Sequence, residues 1–169
     1  DKRKGLDKFI KLAEIFRESD LVFDIYGPDY GELSFVENEI IRLNLQKKVK
    51  YRGAVPNEKV QPILASSDLM ILPSVNEPFP MIVLESLAVG TPVLVMPSCG
   101  FSATLGNFEA NFVARSEDFE GLRSTFSNIL GAENSVKKPQ EISDFCKSTF
   151  GIALVVDKLL VNYTWARNN

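Results

Sequence analysis

The sequence predicts an α/β fold, a Rossmann-like doubly wound parallel sheet with helices on both faces. Short apolar runs of strand length alternate along the chain with longer stretches whose apolar residues recur at helical spacing. Strands separated by single helices are joined by right-handed crossovers, which makes them parallel and covers both faces of the sheet. The chain has 169 residues, 45% of them hydrophobic, which is enough for one domain core over residues 1–169.

The first half of the chain contains three predicted helices and two predicted strands. Apolar residues three and four positions apart mark a helix at 5–18, and the apolar run at 21–26 ends in a glycine–proline turn, as strands often do. The same two patterns then predict a helix at 33–43 and a strand at 49–52. A short helix is expected at 58–66.

The second half adds two strands and a helical end. The apolar strand at 69–72 leads into a helix at 80–89 that begins at a proline, and a Gly-Thr-Pro turn precedes a strand at 93–96. A weak strand is expected at 111–114, and three helices are expected at 117–131, 139–148 and 151–164.

The N-terminal end departs from this pattern. A doubly wound unit opens with a buried strand, whereas residues 1–5 are mostly charged and run directly into a helix. We therefore expect that the first strand is missing and that the sequence starts inside a domain.

Composition argues against several classes of protein. The net charge of -3 argues against a nucleic-acid partner. Two cysteines are too few for a disulfide framework, and the absence of histidine argues against a zinc site or a histidine base. No apolar stretch reaches the roughly 18 to 20 residues that span a bilayer. We therefore expect chemistry without a metal or another cofactor.

The best candidate site lies within residues 69–85, where a strand, a polar loop carrying Glu77 and a helix beginning near Pro80 follow one another. In open α/β sheets, ligands bind beyond the carboxyl ends of the strands. The N–H groups of Met81 and Ile82 have no partner within the helix, and the helix dipole adds to their attraction for phosphate. Glu85 lies roughly 7 Å further along the helix axis, where its carboxylate could accept hydrogen bonds from two ribose hydroxyls.

The spacing of these two glutamates carries no information by itself. Glu109 and Glu117 have the same spacing as Glu77 and Glu85. What distinguishes Glu77 and Glu85 is their setting between two apolar strands, with a helix start between the two glutamates. From the residues alone, a loop cap and a solvated helix residue explain the pair equally well.

Together, these elements resemble the signature of a known family. The pieces that carry the resemblance are Ala65-Ser66-Ser67-Asp68, Pro73-Ser74, Glu77, Glu85 and Gly90-Thr91-Pro92-Val93. They are similar to the signature of the retaining GT-B glycosyltransferases of the group 1, or family 4, type, whose hallmark is two glutamates separated by seven residues. Lys4-Gly5, Tyr26-Gly27, and residues 51–55 and 150–163 resemble further family segments, so the resemblance covers nearly the whole chain.

The resemblance implies a role for each matching residue. Glu77 would be the catalytic residue facing the transferred sugar, and Glu85 would hold the ribose. Lys4 would pair with the donor diphosphate, and Val55 would contact the nucleobase through backbone atoms. The full donor-binding set that the resemblance implies is Lys4, Gly5, Gly27, Val55, Phe79, Pro80, Met81, Ile82 and Glu85.

The resemblance also implies an activity. The chain would be the C-terminal domain of a glycosyltransferase that binds a nucleotide-diphosphate sugar and passes the sugar to a glycan or lipid-linked acceptor. The acceptor would bind mainly to an N-terminal domain that this chain lacks. By family habit, the glycan would be assembled in the cytoplasm at the inner face of the membrane, with peripheral association of the full-length protein. No metal would be needed, because Lys4 and helix amides would offset the diphosphate charge.

Some residues depart from the family pattern and leave alternatives open. Residues 98–104 contain one glycine and no glutamate where the family usually shows two glycines and then a glutamate, and Asn111 stands where the family often has glycine. A catalytically silent nucleotide-sugar-binding or interaction domain is therefore an alternative. A dinucleotide-binding oxidoreductase domain is weaker, because the sequence has no Gly-x-Gly-x-x-Gly motif. An epimerase of similar fold is a further alternative.

Overall fold

The computed structural model describes residues 2–131 and 137–151. Helices and strands alternate along most of these residues, as the apolar pattern predicts. The α-helices are α1 (Leu6–Ile15), α2 (Leu33–Arg42), α3 (Asn57–Ala65), α4 (Met81–Ala88), α5 (Ser102–Phe108), α6 (Phe119–Gly131) and α7 (Pro139–Phe150). The strands are β1 (Phe23–Tyr26), β2 (Val49–Gly53), β3 (Met70–Leu72) and β4 (Val93–Val95), and short 3₁₀ turns occupy Lys2–Lys4 and Ala110–Phe112.

The four described strands form two parallel pairs. β1 pairs with β2, with Phe23 opposite Val49, and β3 pairs with β4, with Met70 opposite Val93. The two pairs share no ladder with each other among the described residues. The predicted α/β class with parallel strands is therefore confirmed, and the sheet is divided between β1 and β3.

Helices cover both faces of the β3–β4 pair. Along β4 and just beyond it, Leu94 and Met96 belong to one apolar cluster, whereas Val93 and Val95 belong to a second one on the opposite face. All four side chains are fully buried. The first cluster also contains residues of α1, α2 and α6, and the second contains residues of α4, α5 and α7. Burial on both faces is what makes these strands continuous apolar runs in the sequence.

A carboxylate fixes the start of α2. Asp29 Oδ1 accepts hydrogen bonds from the N–H groups of Gly31, Glu32 and Leu33 at 2.7, 3.0 and 3.1 Å. Those bonds, led by the one from Leu33, hold the pKa of the Asp29 carboxyl below its ordinary value. Asp29 thus satisfies amides at the helix start and ends the loop that follows β1.

Two predicted elements at the C-terminal side differ from the structure. The predicted strand at 111–114 is wrong, because Ala110–Phe112 forms a 3₁₀ turn and only Val113 makes an isolated parallel bridge, to Val95. The Glu109 side chain accepts a hydrogen bond from the Asn111 N–H at 3.2 Å, which stabilises the turn against an extended backbone. α5 is not predicted by the sequence pattern, and the helix predicted at 151–164 lies outside the described residues, apart from Gly151.

Among the described residues, no helix has the length and apolar character needed to cross a membrane.

Candidate active site

Gly5 brings the start of α1 against the end of β3. Its φ of +69° lies in the left-handed region, and a Cβ added there would lie 2.9 Å from the Pro73 carbonyl carbon and closer still to the carbonyl oxygen. The Val75 N–H donates a hydrogen bond to the Arg3 carbonyl at 2.9 Å, which joins the residues before α1 to the loop that follows β3. Only glycine allows this close approach, and the approach places Lys4 beside the loop that follows β3.

Lys4 and Glu77 form an ion pair across this contact. Lys4 Nζ donates to Glu77 Oε2 at 2.6 Å, and the two side chains are 51% and 25% exposed. The family resemblance implies a diphosphate as the partner of Lys4 and a sugar as that of Glu77, and the structure brings the two side chains together across 73 positions of the chain. Because both side chains remain accessible, an incoming ligand can take either of them as a partner.

The backbone of Glu77 is fixed from both sides. The N–H of Asn76, which precedes Glu77, donates to Ser98 Oγ at 2.8 Å. The carbonyl of Glu77 itself accepts a hydrogen bond from the Gly100 N–H at 3.0 Å. The segment that follows β4 therefore holds the loop that follows β3, so the direction of the Glu77 side chain depends on two strands.

The start of α4 presents free amides next to this loop. The helix begins at Met81, one residue after the predicted start, because Pro80 keeps an extended backbone and caps the helix. The first amide with a helical partner is that of Val83, which donates to the Pro80 carbonyl at 3.0 Å. The N–H groups of Met81 and Ile82 have no hydrogen-bond partner in the described part of the chain. Phe79 and Met81 are 63% and 52% exposed, so solvent and ligands can reach this helix start.

Glu85 lies one turn further along α4 and is partly exposed. Within the described residues, its carboxylate takes part in no hydrogen bond or ion pair. It therefore has full capacity to accept hydrogen bonds from a ligand.

Gly27 and Val55 lie at the carboxyl ends of the neighbouring strands β1 and β2. The Gly27 N–H donates to the Gly53 carbonyl at 3.0 Å, and Tyr51 Oη donates to the Gly27 carbonyl at 2.8 Å. Val55 follows two residues after Gly53 in the loop that leads to α3. These contacts put both predicted residues on the edge of the sheet where ligands bind in parallel α/β folds.

A cavity of about 440 Å³ lies between β1 and β3. Lys4, Gly27 and Ile82 are the predicted donor-binding residues that line it, and its walls include apolar side chains of α1, α2 and both strands. Val55, Phe79, Pro80, Met81 and Glu85 do not line it. Some predicted residues therefore lie only at the strand ends, whereas Lys4, Gly27 and Ile82 also line the apolar groove between the strands.

Ser74 and Ser98 are polar residues that the sequence analysis did not select as site residues. Ser74 lines the cavity, is 1% exposed, and its hydroxyl has no hydrogen-bond partner among the described residues. Buried hydroxyls are normally paired, so Ser74 marks a place where a partner group is needed. Each serine simply follows a strand; Ser74 lies in the Pro73-Ser74 piece of the family signature, whereas no motif points to Ser98.

The Cys99 thiol lies near this site without the properties of a nucleophile. Burial raises the pKa of the Cys99 thiol, and the charge of the Glu77 carboxylate adds to the rise. The thiol therefore stays protonated at neutral pH, whereas the thiolate is the reactive form. No group of three or more histidine, cysteine, aspartate or glutamate residues that could hold a metal ion occurs in the described ranges.

Comparison with known families decides the class of the protein. The family model described as "Glycosyl transferases group 1" matches residues 1–144. The chain belongs to the group 1 glycosyltransferases. The resemblance seen in the sequence is therefore confirmed at the level of the family.

Curated relatives of this group 1 glycosyltransferase chain are longer proteins. The alpha-galactosylglucosyldiacylglycerol synthase of Streptococcus pneumoniae is 30% identical over 145 residues, which cover 84% of this chain and 38% of the relative. A putative teichuronic acid biosynthesis glycosyltransferase of Bacillus subtilis, TuaC, is 39% identical over 109 residues, covering 64% of this chain and 25% of the relative. The chain thus spans well under half the length of these two relatives.

Solved glycosyltransferases share the fold. A glycosyltransferase of Rickettsia africae superposes with a TM-score of 0.82 at 19% identity and covers 100% of this chain and 46% of its own. HepE of Anabaena, crystallised in complex with UDP, superposes with a TM-score of 0.80 at 16% identity and covers 97% of this chain and 46% of its own. At these identities the likeness shows the fold, which matches the α/β GT-B structures.

Proposed function

We propose that the chain is the C-terminal, donor-binding domain of a retaining glycosyltransferase that takes its sugar from a nucleotide-diphosphate sugar. The observation that carries the proposal is the Lys4–Glu77 ion pair of 2.6 Å, formed at the carboxyl edge of the strands. The amides of Met81 and Ile82, which have no partner among the described residues, lie on the neighbouring helix start, and Glu85 lies one turn beyond it. Cationic, amide and carboxylate groups therefore meet at this edge.

The diphosphate is held by cationic and amide groups. Lys4 supplies a positive charge, and the N–H groups of Met81 and Ile82 donate to phosphate oxygens at the positive end of the α4 dipole. Phe79 and Pro80 shape the approach to these amides. When the sugar–phosphate bond breaks, negative charge develops on the leaving diphosphate, and the same preorganised groups stabilise it.

Glu77 acts on the transferred sugar. Its carboxylate orients the sugar and stabilises the positive charge that develops at the anomeric carbon in the transition state. The departing phosphate takes the proton of the acceptor hydroxyl on the same face, which retains the configuration. Lys4 changes its partner from the Glu77 carboxylate to the diphosphate, which leaves Glu77 available to the sugar.

The nucleoside is bound along the same edge of the sheet. The Glu85 carboxylate, which has no partner in the part of the chain that the structure describes, accepts hydrogen bonds from two ribose hydroxyls. These bonds are strong because the acceptor is charged. Backbone atoms around Val55 contact the base, and the backbone turn at Gly27 leaves room beside it.

The divided sheet supports the proposal that this is one domain of a longer protein. In a doubly wound sheet of order 3-2-1-4-5-6, the first strand lies between the second and the fourth. With β1 to β4 as the second to fifth strands, the first strand belongs between β1 and β3, where the structure has the cavity of about 440 Å³ and the unpaired Ser74 hydroxyl. We assign that strand, and an acceptor-binding domain before it, to upstream sequence.

The acceptor is a glycan or a lipid-linked glycan. The names of two relatives support this class, because one refers to a glycosylated diacylglycerol and the other to teichuronic acid. An acceptor of this kind is used at the cytoplasmic face of a membrane, so the full-length protein associates with that face peripherally.

Calorimetric titration of the purified chain with UDP, GDP and ADP tests donor binding. One of the three should bind, weakly, and Lys4→Met and Glu85→Gln should each weaken that binding by about ten- to a hundredfold, as expected when one hydrogen bond to a charged group is lost. Lys147→Met is the matched control, because Lys147 is 70% exposed on α7 and, within the described residues, its ion pair is with Asp144 of the same helix. Binding that is equal in all four proteins would refute the assignment, and so would sugar transfer by residues 1–169 alone.

A catalytically silent binding domain is the second candidate. It is favoured by the segment after β4, where the Phe101 ring packs against the exposed Phe79 ring with centroids 5.1 Å apart. Phe79 directly precedes Pro80, so this aromatic pair lies beside the helix start at which the diphosphate binds in our proposal. Donor hydrolysis by the full-length protein separates the two candidates, because a silent domain binds the nucleotide sugar without cleaving it.

A further inference from the structure

We propose that Ser98 is a positioning residue that aims the Glu77 carboxylate at the transferred sugar, an inference that rests on the proposed function. Ser98 lies in the loop after β4, in the stretch where this chain departs from the family pattern. Its hydroxyl accepts a hydrogen bond from the Asn76 N–H at 2.8 Å and donates one to Glu117 Oε2 at 3.1 Å. It therefore links the residue before Glu77 to the loop before α6.

The bond matters because Asn76 has an unfavourable backbone conformation. Its φ of +53° lies in the left-handed region, which side chains other than glycine rarely adopt and which asparagine tolerates better than most. A residue in that conformation persists only when its surroundings hold it there. The Ser98 hydroxyl is the hydrogen-bond partner of the Asn76 N–H, so it stabilises the turn from which the Glu77 side chain departs.

The carbonyl side of Glu77 is held by a close backbone contact with Gly100. Gly100 donates its N–H to the Glu77 carbonyl at 3.0 Å, and a Cβ added to Gly100 would lie 2.8 Å from the Pro78 carbonyl carbon. This end of the turn is therefore fixed by the backbone. Ser98 supplies the bond at the other end through a side chain, so a substitution can remove that bond while the backbone contacts of Gly100 remain.

The Ser98 hydroxyl is itself oriented by Glu117. Because its hydrogen is directed to the Glu117 carboxylate, a lone pair of its oxygen is left for the Asn76 N–H. Lys8 Nζ donates to the Glu117 carbonyl at 2.9 Å, which attaches the loop before α6 to α1. The aim of Glu77 thus depends on a chain of bonds through Ser98, and none of these bonds involves the phosphate-binding groups.

The test is steady-state transfer and nucleotide titration on the full-length protein, with Ser98→Ala, Ser98→Thr and Asn76→Ala. Ser98→Ala removes the bond to Asn76, and Asn76→Ala makes the left-handed turn less favourable without touching Ser98. Each should lower kcat about two- to tenfold, the range expected for one neutral hydrogen bond. Affinity for the nucleoside diphosphate should stay unchanged, and Ser98→Thr, which keeps the hydroxyl, should recover most of the lost kcat. Ser143→Ala is the matched control, because the Ser143 hydroxyl also joins two distant elements by donating to the Ala88 carbonyl at 3.0 Å.

The outcomes separate this inference from the proposed function. If Glu77→Gln lowers kcat while Ser98→Ala and Asn76→Ala both match wild type, the role of Ser98 is refuted and that of Glu77 stands. Parallel losses of kcat and nucleotide affinity in both variants would show that the segment only supports the fold, which also overturns the inference. If Glu77→Gln itself leaves kcat unchanged, the proposed role of Glu77 is refuted, and the inference about Ser98 is refuted with it.

Discussion

Substitution of Gly5 by alanine tests how the site is assembled. Gly5 has a φ of +69°, and a left-handed backbone costs a residue with a Cβ about 1 to 2 kcal/mol. The added Cβ would also lie 2.9 Å from the Pro73 carbonyl carbon, closer than real Cβ atoms approach other atoms. Because this neighbour is backbone, it cannot rotate away, and overpacking of this kind costs about 1 to 3 kcal/mol more. We therefore expect Gly5→Ala to lower the free energy of unfolding by about 2 to 5 kcal/mol.

Gly53 supplies a matched control for this prediction. Its φ of +73° is nearly that of Gly5, yet a Cβ added there meets nothing within 4 Å. Gly53→Ala should therefore lose only the backbone contribution of about 1 to 2 kcal/mol. The difference between the two variants measures the contact of Gly5 with the end of β3.

Urea unfolding of the purified chain, followed by circular dichroism, gives both free energies. Nucleotide titration of the same proteins should show that Gly5→Ala weakens binding more than Gly53→Ala, because a shift of Gly5 moves Lys4 away from the loop after β3. Equal losses of stability in the two variants would refute the reasoning, because the close contact with Pro73 would then cost nothing.

Three further predictions concern the glutamates, metals and pH. In the full-length protein, Glu85→Gln should weaken donor binding by about 1.5 to 3 kcal/mol, and most of this loss should appear in KM. Glu77→Gln should lower kcat and leave nucleotide affinity within about 1 kcal/mol of wild type, the scale of an exposed ion pair. If the effects of the two variants are reversed, the two glutamates have exchanged roles. A chelator should leave donor binding nearly unchanged, and a loss that magnesium or manganese restores would contradict the diphosphate site built on Lys4. The pKa of Asp29 is lowered in the folded chain. Its carboxylate therefore stabilises the fold at pH values above the ordinary aspartate pKa of about 4, and this contribution is lost as the pH falls through the lowered pKa. Asp29→Ala should therefore be less stable than wild type at pH 7 and approach it in acid urea titrations, and a difference that is independent of pH would exclude this capping role.

The sequence predicted the fold where burial follows a simple period. β4 is buried from both faces, and the partly buried side chains of β3 pack against the same two apolar clusters, so each strand is a continuous apolar run between turns. The helices between strands show one apolar face. The prediction was wrong at 111–114 because Phe112 is buried in a 3₁₀ turn whose apolar pattern looks like that of a strand. α5 has only seven residues and includes Gly106, so its pattern is too short to indicate a helix.

Local pattern alone indicated the candidate site only where its parts are adjacent in sequence, whereas Lys4, Gly27 and Val55 came from the family resemblance. The loop carrying Glu77, the helix start and Glu85 follow one another along the chain, and their order indicates a ligand site. The contact between Lys4 and Glu77 joins residues 73 positions apart and depends on the close approach of Gly5 to Pro73, which no local pattern reveals. The bond from Asn76 to Ser98 is equally distant in sequence and depends on how two loops meet at the edge of the sheet.

The gap between the two strand pairs also affects how the chain behaves on its own. Among the described residues, β1 pairs only with β2 and β3 only with β4, so each has a second edge whose backbone groups take part in no ladder. Such edges are templates on which extended segments of other molecules can add. The free edges of β1 and β3 both face the apolar groove, so we expect aggregation of the purified chain to begin in this part of the molecule. Supplying a strand to that groove would therefore change solubility as well as stability.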